Sequence, residues 1–142
     1  MRIILSLLLL CSFLRINAQK KERFYPDGYY FPKASLKVKN WEFDYLSIFI
    51  ESSKDYKPSV SLQLLDTKSN KINRIESHKY SIEKDSTVIL FSSKSLGKLL
   101  LQGRFTISKH SSEVNYGTIV FIGNFTVNTT TYPVKFTWFE GD

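Results

Sequence analysis

The chain has 142 residues, a formal net charge of +7, an aromatic content of 15% and a single cysteine. That length allows one domain and argues against two, and one cysteine excludes a disulfide framework. The mild basic excess favours anionic surfaces in general without pointing to nucleic acid.

Arg2 opens the chain, and residues 3–14 are apolar apart from Ser6, Cys11 and Ser12. Arg15-Ile16-Asn17-Ala18 then leads into Gln19-Lys20-Lys21. A positive start, an apolar centre and a small residue at the end is the order of a secretory signal peptide. The apolar run is shorter than the roughly 20 residues that a membrane span needs. We therefore expect a signal peptide at residues 1–18, cleaved after Ala18, and a single β-rich domain at 19–142. Lipidation at Cys11 is the alternative, although bacterial lipoprotein signals place a small residue before the cysteine and Leu10 is not small. Cleavage removes the only cysteine and lowers the net charge to +5, because the leader carries Arg2 and Arg15 and no acid. Without disulfides, the exported domain has to be held by its core. An export signal places the protein in the periplasm or outside the cell and makes nucleic acid an unsuitable partner.

No helical period of useful length follows the leader, whereas strand signals recur. Phe24-Tyr25-Pro26-Asp27-Gly28-Tyr29-Tyr30-Phe31-Pro32 sets a Pro-Asp-Gly turn between aromatic pairs. Leu36 and Val38 alternate with lysines. Trp41, Phe43 and Tyr45 alternate with Glu42 and Asp44, and residues 46–50 continue apolar. Val60, Leu62 and Leu64 alternate with polar residues, whereas residues 66–74 are polar and read as a loop. A short strand over 80–82 precedes a clearer one over 87–91. In the last third, Leu99, Leu101, Gly103, Phe105 and Ile107 share one strand face. Ile119, Phe121, Gly123, Phe125 and Val127 share the next, and Tyr132, Val134, Phe136 and Trp138 share the last. Successive side chains leave a pleated strand on opposite sides, so this period of two is a strong strand signal. The glycines inside two similar segments, Gly103-Arg104-Phe105-Thr106-Ile107 and Gly123-Asn124-Phe125-Thr126-Val127, mark a bend, a bulge or a close backbone approach. Residues 109–116 suit a hairpin loop.

Catalytic parts are scarce. His78 and His110 are the histidines, both in polar stretches without metal-type spacing, and a zinc site needs three or four clustered ligands. Glu42 and Asp44 lie across the pleat from Trp41, Phe43 and Tyr45 and read as the solvated side of a half-buried strand. Gly-rich phosphate loops are absent. Lysines at 20, 21, 33, 37 and 39, with Arg23, suit contact with an anionic membrane surface or glycan. They equally suit edge strands protected against aggregation. The sequence therefore favours a protein without enzymatic activity and without a metal or other cofactor. The strands from Leu99 onward are apolar on one face, with Val120 and Ile122 on the other. Such a sheet is either covered on both sides or wrapped around a ligand, and a barrel of about eight strands is just wide enough for a small apolar molecule.

Residues 82–96, centred on Val88-Ile89-Leu90-Phe91-Ser92-Ser93, resemble the strand that runs into an F-x-S segment in the YceI-like proteins. Gly123-Asn124-Phe125-Thr126-Val127, followed by Tyr132-Pro133-Val134-Lys135-Phe136, is similar to that family's G-D-L-T-I-x-G-V-T-x-P-V element. Ser59-Val60-Ser61-Leu62-Gln63-Leu64-Leu65-Asp66 is similar to an earlier strand in the same order. The resemblance spans residues 59–139. It implies an all-β fold, an antiparallel lipocalin-like barrel in the periplasm, binding a polyisoprenoid or similar amphiphilic chain without catalysis. Phe125 and Val134 lie within the matching segments, and Phe105, Phe121, Phe136 and Trp138 join them as ligand contacts by shared strand face. Asn128-Thr129-Thr130-Thr131 departs from the Gly-Val-Thr turn of the family. The family pattern also continues beyond the Pro-Val element, so the barrel is incomplete unless the N-terminal aromatic strands or a second subunit in a homodimer close it. The alternative is a β-sandwich with a solid interior, serving as an exported interaction or adhesion module with contact residues among the aromatics of 24–31.

Overall fold

The computed structural model describes residues 23–51, 57–108 and 117–139. The expected leader, Cys11, His110 and the expected loop at 109–116 lie outside the described residues. Those described form ten strands and no helix: β1 (Gly28–Pro32), β2 (Lys37–Val38), β3 (Trp41–Phe49), β4 (Ser59–Asp66), β5 (Lys71–Glu76), β6 (Lys79–Ile82), β7 (Thr87–Ser93), β8 (Gly97–Phe105), β9 (Ile119–Val127) and β10 (Thr130–Phe139). All belong to one sheet in the order β5-β4-β3-β1-β10-β9-β8-β7-β6, with β2 paired to β3. Every ladder is antiparallel.

The two edge strands are consecutive in the chain. At the step between them, the Ser77 amide donates to Val60 O of β4 at 2.8 Å and the His78 amide donates to Leu90 O of β7 at 3.1 Å. The chain thus crosses from one edge of a curled sheet to the other, although no ladder joins β5 to β6. The architecture is an incomplete lipocalin-like antiparallel barrel. The N-terminal aromatic strand supplies the junction that the C-terminal strands lack, since β1 sits between β3 and β10 and pairs with both.

Alternation sets the two faces. Leu99, Leu101 and Phe105 of β8, Phe121, Phe125 and Val127 of β9, and Val134 and Phe136 of β10 all join one buried cluster with Tyr30, Phe43, Leu46, Ile48, Val60, Leu62 and Leu64. Burying a side chain of this size contributes about 1.5–3 kcal/mol. Gly103 and Gly123 are direct cross-strand partners. A Cβ at Gly123 would strike the Gln102 carbonyl and the Phe121 ring, and one at Gly103 would strike that ring from the other strand. The glycines serve a close backbone approach roofed by an aromatic ring, a device that lets sheets bend tightly.

The segment before β1 closes one end of the barrel. Phe24 packs on Phe105 with ring centroids 5.0 Å apart, and the Tyr25 amide donates to Ser108 O at 2.8 Å. The Tyr30 hydroxyl donates to Pro26 O. Buried Asp27 accepts the Ile50 amide at 2.9 Å and the Glu51 amide at 3.1 Å, and its carbonyl receives Trp138 Nε1 at 3.3 Å. Gly28 follows at φ 145°, with the Trp138 ring where a side chain would stand.

Two expectations are corrected. The polar stretch 66–74 is not all loop, because the chain turns over 67–70, with Asn70 in the left-handed region, and β5 begins at Lys71. Only Ile75 of β5 is buried, so this edge strand gave little hydrophobic signal. Tyr45 does not share a face with Phe43. The β3–β4 register shifts between Phe43 and Tyr45, where Asp44 accepts a hydrogen bond from Gln63 Nε2 at 2.8 Å. An extra residue in one strand reverses the parity beyond it.

Candidate binding surface

Five of the six residues expected to meet a ligand, Phe105, Phe121, Phe125, Val134 and Phe136, are buried within the barrel. There the rings meet one another. Phe105 contacts Phe121 at 5.1 Å between centroids, Phe121 contacts Phe136 at 5.4 Å, and Phe43 bridges Phe136 at 5.3 Å and Phe125 at 5.2 Å. Tyr30 adds an edge contact to Phe105 at 5.5 Å. Tilted and edge-on rings at such spacings are the preferred packing of aromatic cores. Trp138, the sixth, is only partly buried. It lines a surface groove of about 250 Å³ together with Phe31, Thr137 and Phe139. Val134 also borders a second groove of about 420 Å³, formed where residues 32–36 cross β9 and β10.

A second set of rings lies on the opposite side of the same strands. Tyr29 packs edge-on against Tyr45 at 5.4 Å and Phe49 at 5.2 Å, and Phe31 reaches Tyr45 at 5.6 Å and Phe139 at 6.5 Å. The result is a continuous outer row, Phe49–Tyr29–Tyr45–Phe31–Phe139, across β3, β1 and β10. Tyr29 stands opposite Ser47, and the hydroxyls of Ser47 and Ser61 are 2.7 Å apart. These small buried side chains leave room for the rings beside them. Phe139 keeps 41% of its surface exposed.

Of these rings, Tyr29 and Phe31 fall among the aromatics expected as contacts in the alternative reading, whereas Tyr45, Phe49 and Phe139 were not foreseen. One signal could have found them. The apolar phase runs through odd positions at Trp41 and Phe43, then through even positions at Leu46, Ile48 and Ile50. A half-buried strand makes that switch only through a bulge, which leaves Tyr45 and Phe49 outside.

The C-terminal strands also differ from the rest in charge. From Ser86 to Phe139 the sequence holds one acid, Glu113, against Lys94, Lys98, Arg104, Lys109 and Lys135. Before Ser86 acids are more frequent, and among the described residues three bases there form ion pairs, Arg23 with Glu51, Lys37 with Glu42 and Arg74 with Glu76. The Ser35 hydroxyl, 2.6 Å away, and then Lys37 hold the Glu42 carboxyl below its usual pKa. Burial, reinforced by Asp27, pushes the Tyr30 phenol well above its ordinary value.

His78 is exposed at the β5–β6 step. Among the described residues no three His, Cys, Asp or Glu side chains gather closely enough to hold a metal ion. Asn128, first in an N-x-T sequence, uses its side chain internally. Its Nδ2 donates to Leu96 O at 2.8 Å and its Oδ1 accepts the Lys98 amide at 3.1 Å, which ties the β9–β10 turn to the β7–β8 turn.

The fold places the chain in the class of small, curled antiparallel β-barrels. No family model, curated protein or solved structure matches it.

Proposed function

We propose that the domain is an exported, non-enzymatic binder of an apolar or amphiphilic ligand, which lies along the outer aromatic face. The observation that carries this reading is the outer row from Phe49 to Phe139, next to an interior whose rings are already in contact with each other. Tyr29, Phe31, Tyr45 and Phe49 are only half-buried and Phe139 is exposed, and an apolar surface left partly uncovered marks a place that meets something. The resemblance to YceI-like proteins supports the same ligand chemistry, while the packing supports the outer location.

Titration with a fluorescent conjugated-polyene fatty acid tests the reading. Uptake is expected in the unaltered protein, lost in a Tyr29→Ser/Phe31→Ser double variant and retained in Phe136→Leu. Loss in Phe136→Leu alone would return the ligand to the interior. No uptake by the folded protein would sink the reading. The packed inner rings also favour a second reading, an interaction or adhesion module that grips a protein with the same outer face, and this is the one left standing in that event.

A further inference from the structure

We infer that the outer face docks on the surface of an anionic lipid bilayer, with a cluster of three bases beside the aromatic row receiving the head groups. The inference rests on the amphiphile-binding reading above and specifies the charge and form of the ligand. Arg104 and Lys135 are the cross-strand partners of Ile122 on β9, one on each side. The Lys33 amide donates to Lys135 O at 2.8 Å, which continues the row by one more strand position. The row therefore reads Arg104–Ile122–Lys135–Lys33, and Ile122 stays 37% exposed at its centre. Lys33, Lys135, Ile122 and Pro133 border the groove of about 420 Å³.

Among the described residues none of these three bases forms an ion pair, and strands β7–β10 contain no carboxylate. Lys33 Nζ donates to the Gly117 carbonyl at 3.5 Å, and among the described residues no carboxylate pairs with the three bases. Lys33 stands just past the end of β1, two residues after Phe31, so the bases adjoin the outer rings. Rings that enter the interface beside bases that meet phosphates is the arrangement by which peripheral proteins bind anionic membranes. A soluble polyanion would satisfy the bases but would offer nothing to Ile122, Phe31 and Phe139.

The test is co-sedimentation of the protein, as its host processes it, with phosphatidylcholine vesicles and with vesicles that also contain phosphatidylglycerol. Each base near an anionic surface strengthens binding about fivefold, so Lys33→Gln/Arg104→Gln/Lys135→Gln should weaken binding to the anionic vesicles on the order of a hundredfold. A control triple, Lys57→Gln/Lys68→Gln/Lys71→Gln, removes equal charge from the other side of the barrel and should keep most of the affinity. Equal losses in both triples would overturn the inference, since net charge alone would then be responsible. So would binding to dextran sulfate in place of vesicles. Polyene uptake with indifference to phosphatidylglycerol overturns the bilayer assignment and leaves the amphiphile reading intact, whereas loss of both responses overturns the two together.

Discussion

Two aromatic clusters lie back to back on the strands of this barrel, built from the same residue types and put to opposite uses. The inner one, from Phe105 through Phe121 and Phe136 to Phe43 and Phe125, is excluded from solvent and its rings touch across the barrel. The outer one, from Phe49 to Phe139, is only half-covered, and its rings touch neighbours along the same surface. Adjacent residues separate the two, as in Tyr29 and Tyr30. Tyr30 is fully buried with its hydroxyl bonded to Pro26 O, whereas Tyr29 lies over Ser47 on the outside. Ring content alone does not mark a ligand site. Strand parity decides which rings become core, and a bulge decides where parity changes.

The contrast can be broken most severely from inside. Phe121→Ala removes the ring that contacts Phe105 and Phe136 and roofs both glycines, and should cost about 3–5 kcal/mol in urea unfolding. A cost below about 1 kcal/mol would mean that the interior is loosely filled after all.

Tyr30 makes the inner cluster sensitive to alkaline pH. Its pKa is raised in the folded state, so the fold holds this proton more tightly than the unfolded chain does. Stability is then unaffected below the unfolded value of about 10 and falls as pH rises above it. Tyr30→Phe should flatten that alkaline decline, at the cost of the bond to Pro26 O. Thermal melts from neutral to strongly alkaline pH check this, and an unchanged slope would remove the tyrosine as its source.

The smallest stability effect is expected outside. Tyr45→Ser takes away the ring between Tyr29 and Phe31, and cross-strand aromatic pairs contribute about 0.2–1 kcal/mol each. The unfolding midpoint should move little while polyene uptake falls. A loss as large as that of Phe121→Ala would make the outer row a second core and no binding face.

Legibility differed along the chain for a physical reason. Strands β8, β9 and β10 bury one face along most of their length, so alternation reveals them and places Leu101, Phe121 and Phe136 on the inner side. Strand β5 lies at a sheet edge and buries only Ile75, and its polar Lys-Ile-Asn-Arg-Ile-Glu sequence reads as loop. The glycines at 103 and 123 were recognisable as sites of bending or close approach, but their pairing across β8 and β9 was not. The row of Arg104, Lys135 and Lys33 was hidden for the same reason, because its members come from three separate parts of the chain.

The amino-acid order alone therefore determined an all-β domain and most of the inward face of its C-terminal strands, because alternation is a property of neighbouring residues. At the start of β9 a register shift buries Val120 in the core and leaves Ile119, expected beside Phe121, half-buried. Folding decided the rest. The insertion of β1 between β3 and β10, the meeting of the inner rings and the outward turn of Tyr45 depend on register between strands distant in sequence, and register is settled only when those strands compete for the same partners.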